Sequence, residues 1–194
     1  MKLITEHFDN LQYITEEKDG KKSTFIEGIF MQAEKKNRNG RVYPKKVLYG
    51  AVEKYLEEQV KTGRAVGELD HPDSPIVQLE NVSHLVTETK WDGESLLGEI
   101  EVLDTPKGQI LGKLVDRGIK LGISSRGLGS TSRTNEGYDM VEDDFNLVCY
   151  DMVSNPSTSN AFMNLQESVE YKALVTQNRL VLLDEILNEI LELD

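Results

Sequence analysis

The chain has a single cysteine, Cys149, so no disulfide can form within it, and a reducing compartment fits that usage. No run approaches the roughly 18 apolar residues needed to cross a bilayer. The opening stretch, MKLITEHFDN, turns acidic too early for a secretory leader. These absences predict a protein that stays in the cytoplasm of the cell that makes it. Basic residues are also scarce: 22 Lys and Arg stand against 34 Asp and Glu, a net charge of −12. A surface of that sign repels nucleic acid except at a local basic patch, so no direct nucleic-acid binding is expected. The densest basic segment holds Lys35, Lys36, Arg38, Arg41, Lys45 and Lys46, with Tyr43 as its one aromatic; it reads as a solvated loop and helix start. Histidine occurs three times, at His7, His71 and His84. There is no H-E-x-x-H, no cysteine pair, no EF-hand spacing, no G-x-S-x-G elbow, no Walker loop and no internal repeat.

What remains suffices for one compact domain. The 194 residues are 38% hydrophobic, enough for a core and barely enough for two domains. Residues 1–22 are polar and patternless and predict a flexible arm. Residues 24–33, TFIEGIFMQA, are rich in β-branched and aromatic types and predict a strand. After the turn-rich NRNGRVYP, Val47, Leu48, Ala51, Val52, Tyr55, Leu56 and Val60 form one helical stripe, with Pro44 in its first turn and Gly63 as its stop. Residues 64–69 predict a short strand running into the DHPDSP loop. Residues 76–89 and 95–103 predict an antiparallel pair joined at WDGES. A second helix starts near Thr105-Pro106 and ends at Gly118. It feeds the strand IKLGISS and a glycine-rich segment, RGLGS. Residues 137–141 and 145–154 suggest a further hairpin, SNPSTSN a loop, and everything from about 161 a helical tail. Strands with inserted helices in this mixed order argue for α+β.

Three places could carry chemistry. His71 ends the strand AVGELDHP, where a scaffold aims side chains, although a turn histidine beside a proline is the more ordinary reading of that string alone. In GISSRGLG, Ser124 and Ser125 end an apolar strand before Arg126 and Gly127. A nucleophilic serine needs a base and backbone N–H donors, and glycine permits the turns that present them. Strand parity groups Ser125 with the apolar Ile123 and Leu121, and Ser124 with Gly122 and Arg126, a more open face. Asp151 lies in LVCYDMVS, where alternation groups it with Leu147, Cys149 and Val153. A carboxylate on such a face is costly unless paired, either with a histidine or in a rim salt bridge. Glu68, Asp70, His71 and Asp73 could also form a metal cluster, but no second histidine stands at ligand spacing. Asp70 is awkwardly placed to orient His71, and the acidity of Glu68 is expected to face solvent or substrate.

Taken together and in order, FIEGIFMQAEKKNRNGRVYPKKVL, AVGELDHP, GISSRGLGS, TNEGY and the Asp151 strand before NPS resemble the prohead core proteases of large contractile-tailed bacteriophages. The resemblance runs from about residue 24 to 160. It implies a fold like that of herpesvirus capsid-maturation proteases, an antiparallel β-barrel-like core with surrounding helices. It implies 23–160 as the protease domain, with 161–194 as a C-terminal helical tail. By the same resemblance His71 is the catalytic base and Ser124 the nucleophile, with Asp151 as third member and Glu68 in reserve. Ser125, Arg126 and Gly127 are read from the residues themselves as oxyanion or supporting groups, with N–H groups near Arg126-Gly127 or in the 155–159 loop as the expected donors. The herpesvirus relatives use an arginine-rich segment there, and SNPSTSN has none.

The family cleaves after glutamate in [LI]-x-E, in scaffold, capsid and internal proteins and in itself, inside the assembling prohead in the host cytoplasm. Matching strings here are Ile4-Thr5-Glu6, Ile14-Thr15-Glu16, Leu165-Gln166-Glu167, Leu187-Asn188-Glu189 and Ile190-Leu191-Glu192. Arg126 or Arg133 would supply the positive charge that selects glutamate. No metal or other cofactor and no membrane partner is implied. The tail at 174–193 suits helix pairing with a scaffold core or a second copy of the chain. A non-catalytic scaffold or capsid-assembly protein of the same architecture is the rival reading.

Overall fold

The computed structural model describes residues 2–8, 11–18 and 21–154. The 155–159 loop, the helical tail and the three tail [LI]-x-E strings lie outside the described residues. In chain order the elements are β1 (Lys2–Phe8), β2 (Leu11–Lys18), β3 (Lys21–Gln32), β4 (Arg41–Val42), α1 (Lys45–Tyr55), β5 (Val66–Glu68), β6 (Val82–Asp92), β7 (Ser95–Val102), α2 (Pro106–Asp116), β8 (Gly122–Gly129), β9 (Thr131–Arg133), β10 (Asp139–Val141) and β11 (Asn146–Val153). Three sheets result, with orders β1-β8-β11, β4-β10-β9 and β2-β3-β7-β6-β5. The α+β class is as expected; these ladders do not themselves define a closed barrel.

The helices obey the sequence closely. Leu48, Ala51, Val52 and Tyr55 are the buried stripe of α1. Beyond Tyr55 the expected stripe continues into one wider π turn, Leu56–Val60, closed by Lys61 N–H donating to the Leu56 carbonyl at 2.9 Å. Gly63 then takes φ 67°, a conformation that suits glycine. Thr105 caps α2, its Oγ1 accepting from Gly108 N–H at 3.0 Å, with Pro106 at the first helical position.

The strands depart from expectation in three places. Residues 76–81, expected to open the first strand of the antiparallel pair, are loop and one 3-10 turn, Leu79–Asn81, so β6 starts only at Val82. Residues 2–8 and 11–18, read as a loose arm, are strands that pair antiparallel with β8 and β3. Their local sequence is too polar to announce this, and the pairing partner supplies the order. Residues 137–141 and 145–154 are not one hairpin: β10 pairs with β9 and β4, whereas β11 pairs with β8.

The core joins the sheets through aromatic side chains. The fully buried Phe30 of β3 packs at a tilt against Tyr150 of β11, ring centroids 4.8 Å apart, and Tyr150 meets Tyr55 of α1 edge-on at 5.5 Å. A bulge between Ile29 and Met31 lets both Phe30 and Met31 point inward. Gly98 makes room for the Phe30 ring, which would lie 2.5 Å from any Cβ there. Tyr150 precedes Asp151, so this packing anchors the strand that carries the candidate site.

Candidate active site

The site is built on β8 and its two neighbours. Every residue from Gly122 to Gly127 is buried, so this strand is central rather than a flexible loop. Its glycines serve packing: a Cβ on Gly127 would lie 2.5 Å from the Phe145 ring. Across the ladder Asp151 stands opposite Ser124, Tyr150 opposite Ser125, and Cys149 opposite Arg126. Directly opposed residues share a face with Cβ atoms about 5 Å apart. Ser124, Arg126, Cys149 and Asp151 therefore share one face, and Ser125 belongs to the other. The parity expected for the two serines holds, but both faces are closed, and neither hydroxyl has a hydrogen-bond partner among the described residues. The expected grouping of Leu147 with Cys149 and Asp151 fails. A bulge between Leu147 and Cys149 puts Leu147 opposite Gly127 and changes the parity of the strand.

His71 arrives from a different sheet. β5 ends at Glu68, and Leu69 makes one parallel bridge to Met152 of β11. Asp70 N–H donates to the Met152 carbonyl at 2.8 Å, and Asp70 itself adopts φ 68°. That left-handed turn, uncommon outside glycine and tolerated by Asp, swings the next side chain over β11. His71 Nδ1 then lies 2.8 Å from Asp151 Oδ2. A carboxylate at Nδ1 fixes the proton there and the basic lone pair at Nε2. The His71 side chain is 19% exposed and the Asp151 side chain 0%.

Close packing beneath this turn involves residues to which the sequence reading gave no role. Gly67 is squeezed against β11 so tightly that a Cβ would lie 1.9 Å from the Tyr150 carbonyl oxygen. The buried His84 of β6 donates from Nε2 to that same carbonyl at 2.9 Å and accepts the Ser83 hydroxyl at Nδ1, 2.8 Å away. Burial pushes His84 down to about 4, with the Tyr150 and Asp151 contacts opposing, so the ring is neutral and structural. The glycine preceding Glu68 was the available signal for a close approach of two backbones.

Arg126 and Glu68 are where the sequence reading needs the largest correction. Glu68 was expected to face solvent or substrate, yet it is 0% exposed and ion-paired with Arg126 Nη2. Arg126 also donates from Nη2 to Asp151 Oδ1 at 3.1 Å, from Nη1 to the Ser74 carbonyl at 2.6 Å and from Nε to Cys149 Sγ at 3.2 Å, and its Nε lies within ion-pair distance of Asp151 Oδ2, at 3.0 Å. Burial opposes the guanidinium charge, but Cys149, Asp151 and Glu68 outweigh it and raise Arg126 above its ordinary value. Burial above all, with Asp151 adding to it, pushes the Cys149 thiol up, so it stays protonated. Arg126 thus lies behind Asp151 with its donors spent on its neighbours, and is not free to select a substrate carboxylate. Arg133, the other basic candidate, pairs with Asp139 at 2.9 Å on the surface. The backbone of Arg126 and Gly127, expected to supply oxyanion donors, runs inside the ladder between β1 and β11. Nor do Glu68, Asp70, His71 and Asp73 converge as a ligand set. Glu68 turns inward to Arg126 and Asp73 is exposed, and the described residues contain no group of three or more potential ligands placed to hold a metal.

The far edge of β8 is covered by β1. Glu6 stands opposite Ser125 and the following residue opposite Ser124, so the peptide after Glu6 lies across the serine pair. The Thr5 carbonyl accepts from Asn39 Nδ2 at 2.9 Å and Arg41 Nη1 at 3.0 Å, and Ile4 is buried beside Gly129.

This arrangement can be set beside known proteins. Residues 10–173 match the family model described as prohead core protein serine protease. The chain is 42% identical over 153 residues to the prohead core protein protease of Enterobacteria phage T4, covering 77% of this chain and 72% of that protein. The solved structure of the bacteriophage T4 capsid assembly protease, gp21, superposes with a TM-score of 0.76 at 36% identity, covering 80% of this chain and 98% of that one.

Proposed function

The chain belongs to the prohead core protein serine protease family, a protease of capsid assembly, and on that premise we propose that it is a serine endopeptidase acting through Ser124, His71 and Asp151. The observation that carries this reading is the ladder register. Asp151 is opposite Ser124 and at the same time holds the Nδ1 of His71. In the resulting chemistry His71 Nε2 takes the Ser124 proton as Oγ attacks the scissile carbonyl. Asp151 keeps the ring oriented and stabilises the imidazolium; His71 then protonates the leaving amine, and water hydrolyses the acyl-enzyme. The orphan hydroxyl of Ser124 is consistent with a group held for a partner that comes with substrate.

The substrates we propose are scaffold, core and capsid proteins of the prohead and the chain itself, cut after glutamate in [LI]-x-E, inside the assembling particle. Support comes from Ile4-Thr5-Glu6, which is already laid along β8 as an extended strand, with the peptide after Glu6 across from Ser124. Among the described residues, no helix is long and apolar enough to cross a membrane. Cleavage of an [LI]-x-E peptide and N-terminal trimming by intact mass test the reading. Ser124→Ala should abolish both and Ser125→Ala should spare most activity. Full activity in Ser124→Ala would overturn it. Absence of cleavage even with assembled proheads would favour the scaffold role.

A further inference from the structure

We infer that the buried Arg126–Glu68 ion pair is the positioning unit of the site, holding the His71 loop and the Asp151 carboxylate in one fixed relation. The inference rests on the serine-protease reading above. Its basis is where the pair's hydrogen bonds go. One end grips the triad strand, through the Arg126 donations to Asp151 Oδ1 and Cys149 Sγ and the ion pair with Asp151 Oδ2. The other end grips the loop that carries His71. Arg126 Nη1 donates to the Ser74 carbonyl at 2.6 Å, and Gln78 N–H donates to Glu68 Oε1 at 2.9 Å. Upstream, Leu69 and Asp70 N–H tie the loop to Met152, and from Ser74 to Gln78 it has little else to hold it. Ile76 is 72% and Leu79 81% exposed, so its large apolar side chains are not anchored in the core.

Stability alone does not account for such a pair. Taking two charges out of water costs more than packing apolar side chains of the same volume in many proteins. Here one guanidinium faces two carboxylates, Glu68 and Asp151, and both are fully buried. What the pair supplies is a common reference for two chain segments more than 50 residues apart, since Arg126 reaches Ser74 across a separation of 52. A planar five-donor fork can hold a loop carbonyl and two carboxylates at once, which a lysine ammonium on a single flexible stem does not reproduce. Misplacing a catalytic base by about 1 Å can cost roughly 10²-fold in rate without weakening substrate binding.

The test uses the full chain with Glu68→Gln, Arg126→Lys, Gln78→Pro and, as control, Ser124→Ala. Gln78→Pro removes the N–H that reaches Glu68, together with the exposed side-chain acceptor of Asn81 Nδ2, and leaves every buried charge in place. Steady-state cleavage of an [LI]-x-E peptide is read alongside circular dichroism and thermal melting. Glu68→Gln and Gln78→Pro should each lower kcat about 10²-fold with KM changed less than about three-fold, in protein that remains folded. Arg126→Lys should fall in the same direction. Folded Glu68→Gln and Gln78→Pro proteins with wild-type kcat would overturn the inference, as would losses that appear in KM alone. Activity surviving in Ser124→Ala would instead overturn the serine-protease reading on which it rests.

Discussion

Replacing Asp151 by Asn tests whether this carboxylate serves catalysis or the fold. Its two oxygens are used differently. Oδ1 accepts from Glu68 N–H and Arg126 Nη2, both at 3.1 Å; Oδ2 accepts from His71 Nδ1 at 2.8 Å and is ion-paired with Arg126 Nε at 3.0 Å. Asparagine can keep the first set. At the second it presents an NH₂ group to the His71 N–H and to the positive Arg126 Nε. His71 can answer only by moving its proton to Nε2, and that tautomer cannot accept the Ser124 proton. The expected loss in kcat is about 10⁴-fold, or roughly 5 kcal/mol in the barrier. The fold should suffer far less. The cluster holds one cation and two anions, so neutralising Asp151 leaves Arg126 balanced by Glu68, and the unmet donors cost about 1–3 kcal/mol. Deleting Arg126 would strand two buried carboxylates and cost about 3–5 kcal/mol. Single-turnover peptide cleavage and urea unfolding, run on the same preparations, separate the two terms. Activity within ten-fold of wild type in Asp151→Asn, or a kcat loss no larger than the unfolded fraction explains, would refute the reasoning.

Two further outcomes follow from the packing below the site. Gly67→Ala forces a Cβ to 1.9 Å from a backbone oxygen of β11 and 2.2 Å from His84 Nε2, and should destabilise by about 3 kcal/mol or more, read as a lowered melting temperature. His84 titrates near 4 when folded and near 6.5 when unfolded. The unfolded chain therefore binds the proton first, and stability is lost as pH falls from about 6.5 to 4. That loss amounts to roughly 3 kcal/mol below both values. Urea titrations at pH 7 and 4.5 should show His84→Gln losing less stability on acidification than wild type; equal losses would count against the assignment.

The sequence made the candidate residues more legible than their surroundings. Local pattern drew attention to His71, Ser124 and Asp151, and the family resemblance grouped them as a triad. A histidine sat at a strand exit, a serine pair closed an apolar strand, and an acid lay on a face that should be greasy. The same cost argument, applied to Arg126 two residues from Ser124, would have demanded a buried partner and pointed to Glu68. It failed because Glu68 was assigned to an exposed strand end, and the three-residue β5 is in fact buried against β11. The turn at Asp70 was unreadable because only glycine advertises positive φ. The pairing of residues 2–8 with β8 was equally hidden, since edge pairing depends on a partner more than 100 residues away.

The extra residue in β11 between Leu147 and Cys149 makes the site depend on chain length as well as on residue identity. Side chains alternate with a period of two, so deleting one residue at that irregularity would resolve it by shifting one flank a single step. If the shift fell on the C-terminal flank, the tyrosine of the aromatic cluster would trade sides with the acid that grips the imidazole. The core and the reactive face would fail together, with no functional side chain removed.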